Sequence, residues 1–172
     1  VTGAGKGIGF NLVLKLLKYE STVYGIVKSK SDLSKFKKLN NCHIICGNIN
    51  NKKTIQNIFN ISKKNNHIIN GLVNNAGIRQ RISFSKLNIK DLRKVFEVNF
   101  FAQFECIKEF INNLLKVKKN GSIVNIASIV GQNGFKELCG YASTKSALIG
   151  LSKSIAVEFA SKNIRCNVVS PG

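Results

Sequence analysis

The sequence has no methionine, no tryptophan and a single proline, Pro171. It also lacks any apolar run near the roughly 18 residues that a membrane-spanning helix needs, so we expect no membrane contact. No signal peptide is visible. The chain opens at Val1 and not at a methionine, so we expect that residues precede it, and a targeting segment among them stays an open alternative.

Acidic residues are scarce, with 8 Asp and Glu against 27 Lys and Arg, which gives a formal net charge of +19. A charge of this size can favour nucleic acid, an anionic membrane or an acidic protein partner. The lysines, however, are spread along the whole chain and form no stripe. We therefore read the charge as a compositional bias and expect no nucleic-acid binding as the main function.

The 5 cysteines include no CxxC pair and no Cys/His cluster. This pattern argues against structural zinc and favours reduced thiols in a reducing compartment, the cytoplasm or an organelle interior. A chain of 172 residues with 44% hydrophobic residues can bury a sizeable core in one domain.

Short apolar runs alternate with longer amphipathic segments, which predicts an α/β fold with βαβ units around a parallel sheet. A glycine-rich turn that enters a helix usually follows a strand, so we expect a strand just before Val1. Strands are predicted at 21–29, 41–49, 67–77, 121–128 and 164–172, and helices near 31–39, 51–65, 90–116 and 141–161.

The first informative stretch is TGAGKGIG, which runs from Thr2 to Gly9. Glycine lets a pyrophosphate approach the backbone, and the positive end of the following helix favours its charge. The spacing fits TGxxxGxG and not the common GxGxxG. A flexible glycine turn is the alternative interpretation. The residues expected to contact a dinucleotide here are Thr2, Gly3, Gly5, Lys6, Gly7, Ile8 and Gly9.

The residue at the end of the second strand indicates which dinucleotide is bound. An acidic residue there binds the ribose 2′-OH of NAD, whereas a basic one meets the 2′-phosphate of NADP. The predicted strand ends in the sequence VKSK at 27–30, which makes Lys28 the candidate basic residue, and Lys6 is a second candidate cation. Asp32 falls later and fits the first turn of the next helix better. We therefore expect NADP(H) to be preferred, with NAD(H) as the alternative.

Further motifs follow in order along the chain: NNAG at 74–77, Asn99 in VNF, Ser128 after a strand, Tyr141 with Lys145 four residues on, and PG at 171–172. Together with TGxxxGxG, these motifs resemble the classical short-chain dehydrogenase/reductase family across all 172 residues.

The resemblance implies one NAD(P)-binding Rossmann domain over residues 1–172, a doubly wound parallel sheet in three αβα layers with family strand order 3-2-1-4-5-6-7. Against that pattern the chain looks truncated at both ends, with the first and last strands largely missing. Asn48 stands where many members have Asp near the adenine. Besides the glycine turn, Lys28, Tyr141 and Lys145, the resemblance assigns cofactor contacts to Asn48, Ile49, Asn75, Ala76, Gly77, Pro171 and Gly172.

Four residues match the family's catalytic set, and their chemistry suits carbonyl reduction. Tyr141 would give its phenolic proton to the carbonyl oxygen as negative charge develops there. Lys145, one helical turn away, would favour the phenolate and hold the nicotinamide ribose. Ser128 would hydrogen-bond the carbonyl oxygen, and Asn99 would anchor a water in a proton relay behind Lys145.

Within the family, the sequence is most similar to the 3-oxoacyl-[acyl-carrier-protein] reductases of type II fatty-acid synthesis. That similarity implies an acidic carrier protein as partner, met by Lys119 and Lys162, and a homotetramer or homodimer built through the helices near 91–117 and 141–161. Three alternatives stay open: a dehydrogenase of a sugar, polyol or other small alcohol or ketone, a non-catalytic dinucleotide-binding regulator, and a polyanion-binding protein.

Overall fold

A computed structural model describes residues 1–172. The chain alternates between helices and strands, as the sequence predicts. In chain order the elements are α1 (Gly7–Lys18), β1 (Val23–Val27), α2 (Lys30–Ser34), β2 (Cys42–Cys46), α3 (Lys52–Lys64), β3 (Gly71–Asn74), α4 (Ile89–Phe96), a π-helical turn (Glu97–Phe101), α5 (Ala102–Val117), β4 (Gly121–Ile126), α6 (Cys139–Glu158) and β5 (Ile164–Val169).

The five strands are parallel, and two residues at the start of the chain join them into one surface. β1 pairs with β2, and β3, β4 and β5 form a second group. Thr2 lies between the groups, because it forms a parallel bridge with Ile26 and its N–H donates to the carbonyl oxygen of Val73 at 3.0 Å. The spatial order is therefore β2, β1, Val1–Thr2, β3, β4, β5.

Val1 and Thr2 join the two groups of strands near the carboxyl-terminal edge of the sheet. Below it, a cavity of about 500 Å³ separates the starts of β1 and β3 and is lined by Val1, Tyr24 and Ile69 among others. The sheet is continuous where the strands end, and that is the edge at which ligands bind in open α/β folds.

Helices cover both faces of the sheet, which confirms the expected three layers. Val23 and Val27 pack with Val13 of α1 and Phe36 in a small core. Residues of α3, α5 and α6 pack on the opposite face, against Tyr24 and other alternate strand residues. The alternation follows from the two-residue period of a strand, which sends successive side chains to opposite faces. β1 reads as a continuous apolar run because both of its faces are buried.

Several predicted boundaries differ from the structure. The helix predicted near 31–39 is shorter and covers Lys30–Ser34, and the strand predicted at 67–77 covers only Gly71–Asn74. Ile68 lies within the range predicted for that strand, but it precedes the observed strand and is 50% exposed. The long helix is interrupted by the π-helical turn, and the last helix begins at Cys139, two residues earlier than predicted.

No helix combines the length and the apolar character that crossing a membrane requires. All 5 cysteines are unpaired thiols.

Candidate active site

The glycine turn leads directly into the amino terminus of α1. The helix begins after Lys6, whose side chain makes no capping hydrogen bond, and its first turn contains no acidic residue. By contrast, the residues that precede α2, α3 and α4 cap these helices, because their side chains accept hydrogen bonds from backbone N–H groups of the first turn. These residues are Ser29, Asn51 and Asn88. The free N–H groups and the positive helix end make this terminus suited to an anionic group such as a pyrophosphate.

Gly3 brings the glycine turn close to the segment after β3. Its φ is +64°, and a Cβ there would lie 2.8 Å from the Cα of Ala76, so a side chain would not fit. The Thr2 hydroxyl accepts hydrogen bonds from the N–H groups of Asn75 and Ala76, each at 3.0 Å. The Asn75 amide donates to the carbonyl oxygens of Thr2 and Gly3, each at 3.1 Å. These bonds hold two of the predicted cofactor-binding motifs against each other.

A cleft of about 340 Å³ lies beside this junction, at the carboxyl-terminal edge of the sheet. Its volume is within the range of small-molecule sites. Nine residues that the sequence assigned to the cofactor line it, namely Gly3, Gly5, Lys6, Lys28, Asn48, Ile49, Asn75, Ala76 and Gly77.

The other predicted cofactor residues lie around the cleft without lining it. Thr2 is buried, and its hydroxyl accepts from the N–H groups of Asn75 and Ala76. Gly7 and Ile8 are exposed at the start of α1, and Gly9 is buried. Pro171 and Gly172 lie instead near the Ser128 turn, where the Pro171 carbonyl oxygen accepts from the Ile129 N–H at 3.1 Å.

Several residues of the cleft were not among those predicted from the sequence. Asp32 lines it, although the sequence placed this residue only in the first turn of the next helix, where it also lies. Ile26, Val27, Gly47, Ile78 and Val98 complete the lining. Gly47 and Ile78 follow the ends of β2 and β3, and a position after a strand end is a sequence signal for a ligand site in this kind of fold. Val98 lies in a helical segment and carries no such signal.

Ser128, Tyr141 and Lys145 come from elements that meet at the same edge of the sheet. Ser128 follows β4, is 9% exposed, and its hydroxyl accepts from the N–H of Val130 at 3.2 Å. Tyr141 and Lys145 lie one turn apart in α6, with the Lys145 Nζ 5.7 Å from the centre of the tyrosine ring. The Lys145 ammonium donates to the carbonyl oxygen of Ile126 at 2.7 Å.

Lys145 is an almost fully buried lysine, with 3% of its surface exposed. Burial disfavours the ammonium and lowers its pKa from 10.5 to about 8. No carboxylate forms an ion pair with it. A buried lysine of this kind is typical of functional sites, because a structural role would be filled at lower cost by an apolar side chain.

Asn99 lies in the π-helical turn and is fully buried. Its amide accepts from the Ile78 N–H at 2.8 Å and donates to the Ile78 carbonyl oxygen at 2.9 Å and to the Thr144 hydroxyl at 3.2 Å. Such turns often mark functional sites, because they re-aim one side chain within a helix. Here the turn directs Asn99 at the segment between the cofactor cleft and α6.

Gly77 connects the cleft to the residues of the catalytic set. It lines the cleft, and a Cβ placed on it would lie 3.3 Å from the Asn99 Oδ1 and 3.8 Å from the Lys145 Nζ. The structure therefore brings the four predicted catalytic residues and this cleft to one edge of the sheet.

The two lysines expected to meet a carrier protein lie at the opposite edge. Lys119 precedes β4 and Lys162 precedes β5, and the two strands are joined there by a hydrogen bond from the Gly121 N–H to the Asn163 carbonyl oxygen. They are neighbours, but the length of β4, about 20 Å for a strand of this size, separates them from the Ser128 end.

Comparison with known proteins agrees with this arrangement. Residues 1–172 match the family model described as short chain dehydrogenase. The chain is 36% identical over 177 residues to the 3-oxoacyl-[acyl-carrier-protein] reductase of Rickettsia prowazekii, covering 100% of this chain and 70% of the relative.

Two solved structures are similar in fold. ElxO with NADP bound has a TM-score of 0.90 and 34% identity, with 99% of this chain and 71% of that chain covered. The 4-hydroxyisoleucine dehydrogenase complexed with NADH and succinate has a TM-score of 0.90 and 31% identity, with 100% and 78% covered. These likenesses confirm the Rossmann-type α/β fold, and the chain is an NAD(P)-dependent oxidoreductase that belongs to the short-chain dehydrogenase family.

Proposed function

We propose that this protein reduces a carbonyl to a hydroxyl with NADP(H), using Ser128, Tyr141, Lys145 and Asn99. The observation that carries the proposal is the position of Gly77, which lines the cofactor cleft and lies against both Lys145 and Asn99. A dinucleotide in the cleft would therefore extend toward Lys145, the one buried lysine of the protein, and toward Tyr141, one helical turn before it.

The residues present suit the dinucleotide that the family uses. The uncapped start of α1 and the close-packed glycine turn would hold its pyrophosphate, and the segment Asn75–Gly77 would lie beside its ribose. When bound, the dinucleotide supplies the hydride that a carbonyl carbon accepts.

The side chains of this chain would handle the proton and the developing charge. Tyr141 would donate its phenolic proton to the carbonyl oxygen. Lys145, with a pKa of about 8, carries its proton in most molecules at pH 7, so it would stabilise the phenolate that forms. Ser128 would donate to the carbonyl oxygen, a preorganised contact that is strongest in the transition state.

Asn99 would act as a positioning residue. Its side chain is committed to Ile78 and Thr144, so it fixes the distance between the segment after β3 and the helix that carries Tyr141 and Lys145. The water relay inferred from the family would then involve the backbone near Asn99 and not its amide. Because Thr144 donates to the Tyr141 carbonyl oxygen at 2.7 Å, the contact reaches the catalytic turn directly.

The preference for NADP(H) is supported by two lysines that line the cleft, Lys6 and Lys28. Lys28 directly follows β1, at the strand end where cofactor choice is usually made. The similarity to ElxO, whose structure contains NADP, supports the same preference.

For the substrate, we propose a 3-oxoacyl group on an acyl carrier protein, as used in fatty-acid synthesis, because a relative with that name is 36% identical over the whole chain. Contact with an acidic carrier through Lys119 and Lys162 belongs to this proposal. Since these lysines lie at the edge opposite Ser128, a carrier bound there would need an arm of about 20 Å or would serve a neighbouring protomer.

We also propose a homotetramer or homodimer of single-domain protomers, in a reducing compartment. Apolar side chains at the surface of α5 and α6 support the assembly: Phe104 is 39% exposed, Leu115 40% and Val157 81%.

A second candidate is oxidation or reduction of a small alcohol or ketone. The similarity to 4-hydroxyisoleucine dehydrogenase, at 31% identity and a TM-score of 0.90, favours it. The two candidates share the catalytic chemistry and differ only in the substrate.

The experiment is to follow NADPH and NADH oxidation by the full chain with acetoacetyl thioesters, then with a panel of ketones, keto acids and sugars. Thioester reduction faster than that of every free ketone supports the carrier-protein assignment. Activity confined to small ketones or alcohols transfers the assignment to the second candidate. No turnover of any carbonyl compound with either cofactor contradicts the reductase proposal itself.

A further inference from the structure

Asp32 is an acidic residue inside a cleft that is otherwise arranged for a dinucleotide with an extra phosphate. It lines the cleft together with Lys6 and Lys28. A Cβ placed on Gly5 would lie 2.7 Å from the Asp32 Oδ2, so the carboxylate packs directly against the glycine turn. A free carboxylate at this point would repel a 2′-phosphate and would accept a hydrogen bond from a ribose 2′-OH.

Each carboxylate oxygen of Asp32 already accepts a hydrogen bond within the protein. The Lys35 ammonium donates to Oδ1 at 2.6 Å, and the Ser29 hydroxyl donates to Oδ2 at 2.8 Å. These two bonds, with the charge of Lys6, hold the pKa of Asp32 below its usual value, so the carboxylate stays ionised and paired. Its side chain is 22% exposed and that of Lys35 is 42% exposed, so the pair lies at the rim of the cleft within reach of solvent.

Lys35 has a second bond that fixes it in this position. Its Nζ also donates to the carbonyl oxygen of Gly5 at 2.7 Å, and it lies 5.7 Å from the centre of the Phe10 ring. One ammonium group therefore neutralises Asp32 and anchors the glycine turn at the same time. Asp32 lies in α2 and Lys35 directly follows this helix, so the segment after β1 forms a charged wall of the cofactor cleft.

We propose that Lys35 is a specificity-determining residue that masks Asp32, so that the cleft accepts the 2′-phosphate of NADP(H) in preference to the 2′-OH of NAD(H). With Lys35 in place, the charges of Lys6 and Lys28 face the phosphate without opposition. Without it, Asp32 opposes them and offers the hydrogen-bond acceptor that NAD-dependent sites use. This inference rests on the NADP(H) preference proposed above. It adds that the Lys35–Asp32 pair sets how much more tightly NADPH binds than NADH.

The test compares the dissociation constants of NADPH and NADH, measured by the change in nicotinamide fluorescence, in the full chain and four variants. Lys35→Met is expected to lower the preference for NADPH about tenfold, the effect of one unpaired charge a few ångström from an anion at a half-exposed site. Asp32→Asn is expected to raise that preference. Lys35→Met combined with Asp32→Asn is expected to restore the wild-type ratio, because the two positions together carry no net charge in either protein.

The matched control is Lys38→Met, an exposed lysine just beyond α2 that lowers the net charge equally and makes no side-chain hydrogen bond; its ratio is expected to change less than twofold. If Lys35→Met weakens the binding of NADPH and of NADH by the same factor, then Lys35 only anchors the glycine turn, and the inference is overturned. A double variant that keeps the low ratio of Lys35→Met would overturn it too, since Lys35 would then bind the phosphate directly.

The result separates this inference from the proposed preference. A wild-type protein that binds NADH more tightly contradicts the preference, while the change of ratio in Lys35→Met still decides the role of the pair. If Lys35→Met does not fold, Asp32→Asn decides alone, because it leaves the bond from Lys35 to Gly5 in place. An unchanged ratio in Asp32→Asn overturns the inference.

Discussion

Replacing Lys145 with methionine is expected to stabilise the protein while removing its proposed activity. Burial lowers the pKa of Lys145 from 10.5 to about 8. Because each pKa step corresponds to about 1.4 kcal/mol, the folded protein disfavours the ammonium by about 3 kcal/mol relative to the unfolded chain. Loss of the hydrogen bond to Ile126 offsets part of the gain. We expect Lys145→Met to raise the free energy of unfolding by about 1–2 kcal/mol at pH 7.

The pH dependence of this difference tests the reasoning most sharply. Well below pH 8 both states carry the proton and the burial penalty is complete. Between about pH 8 and pH 10.5 the folded protein loses the proton first, so the unfolded chain binds more protons and wild-type stability rises with pH. The variant lacks this contribution. The stability difference is therefore expected to move by about 2–3 kcal/mol in favour of the wild type between pH 7 and pH 10.

Urea unfolding followed by circular dichroism at pH 7, 8, 9 and 10 measures the difference directly, because titrations of the other groups cancel between the two proteins. Lys153→Met is the matched control, since Lys153 lies on the same helix but is exposed, so its replacement removes a lysine without relieving a burial penalty. A stability difference for Lys145→Met that stays constant across this range would refute the argument that burial controls the charge of Lys145.

Three further changes test other parts of the site. Gly3→Ala is expected to lower the free energy of unfolding by about 1–3 kcal/mol and to weaken cofactor binding, because φ at Gly3 is +64° and Ala76 leaves no room for a side chain. Gly150→Ala is the control, since Gly150 lies on open helix surface and its replacement should be neutral or slightly stabilising. Thermal unfolding measures both changes. Asn99→Ala should cost about 2–4 kcal/mol in urea unfolding, since it leaves the N–H and carbonyl of Ile78 without their partner. Lys28→Asp should shift the ratio of kcat/KM values from NADPH toward NADH; an unchanged ratio would remove Lys28 from the account of cofactor choice.

The fold was predictable from the sequence because its signals are local. Alternating apolar runs and amphipathic segments indicated parallel strands and helices, and the two faces of β1 are buried as its continuous apolar sequence suggests. Boundaries were less predictable. Ile68 is as apolar as the strand residues that follow it, and only the position of β3 in the sheet leaves it exposed.

The candidate site was predictable where a motif carries its own geometry. Tyr141 and Lys145 are one helical turn apart whatever surrounds them, and glycine spacing indicated the turn before α1. The role of Asp32 could not be read in this way, because its contacts with Gly5 and Lys35 depend on how α2 packs against the glycine turn.

The two histidines show the same limit of sequence reasoning. No spacing pattern linked His43 and His67, yet the structure places both against Tyr24. The Tyr24 hydroxyl is 2.8 Å from the Nδ1 of His67, and the His43 ring stacks on Tyr24 with centroids 4.7 Å apart. They lie near the amino-terminal edge of the sheet, where β1 begins, and form no part of the candidate active site.

The most direct test of the proposed chemistry is the turnover of Tyr141→Phe, measured as NADPH oxidation with the best carbonyl substrate found, together with its NADPH dissociation constant. Removal of a general acid is expected to lower kcat by about 10²–10⁴-fold. NADPH affinity should stay within a few fold, because the cleft and Lys145 are untouched. Wild-type turnover in a variant that binds NADPH normally would contradict the claim that Tyr141 delivers the proton.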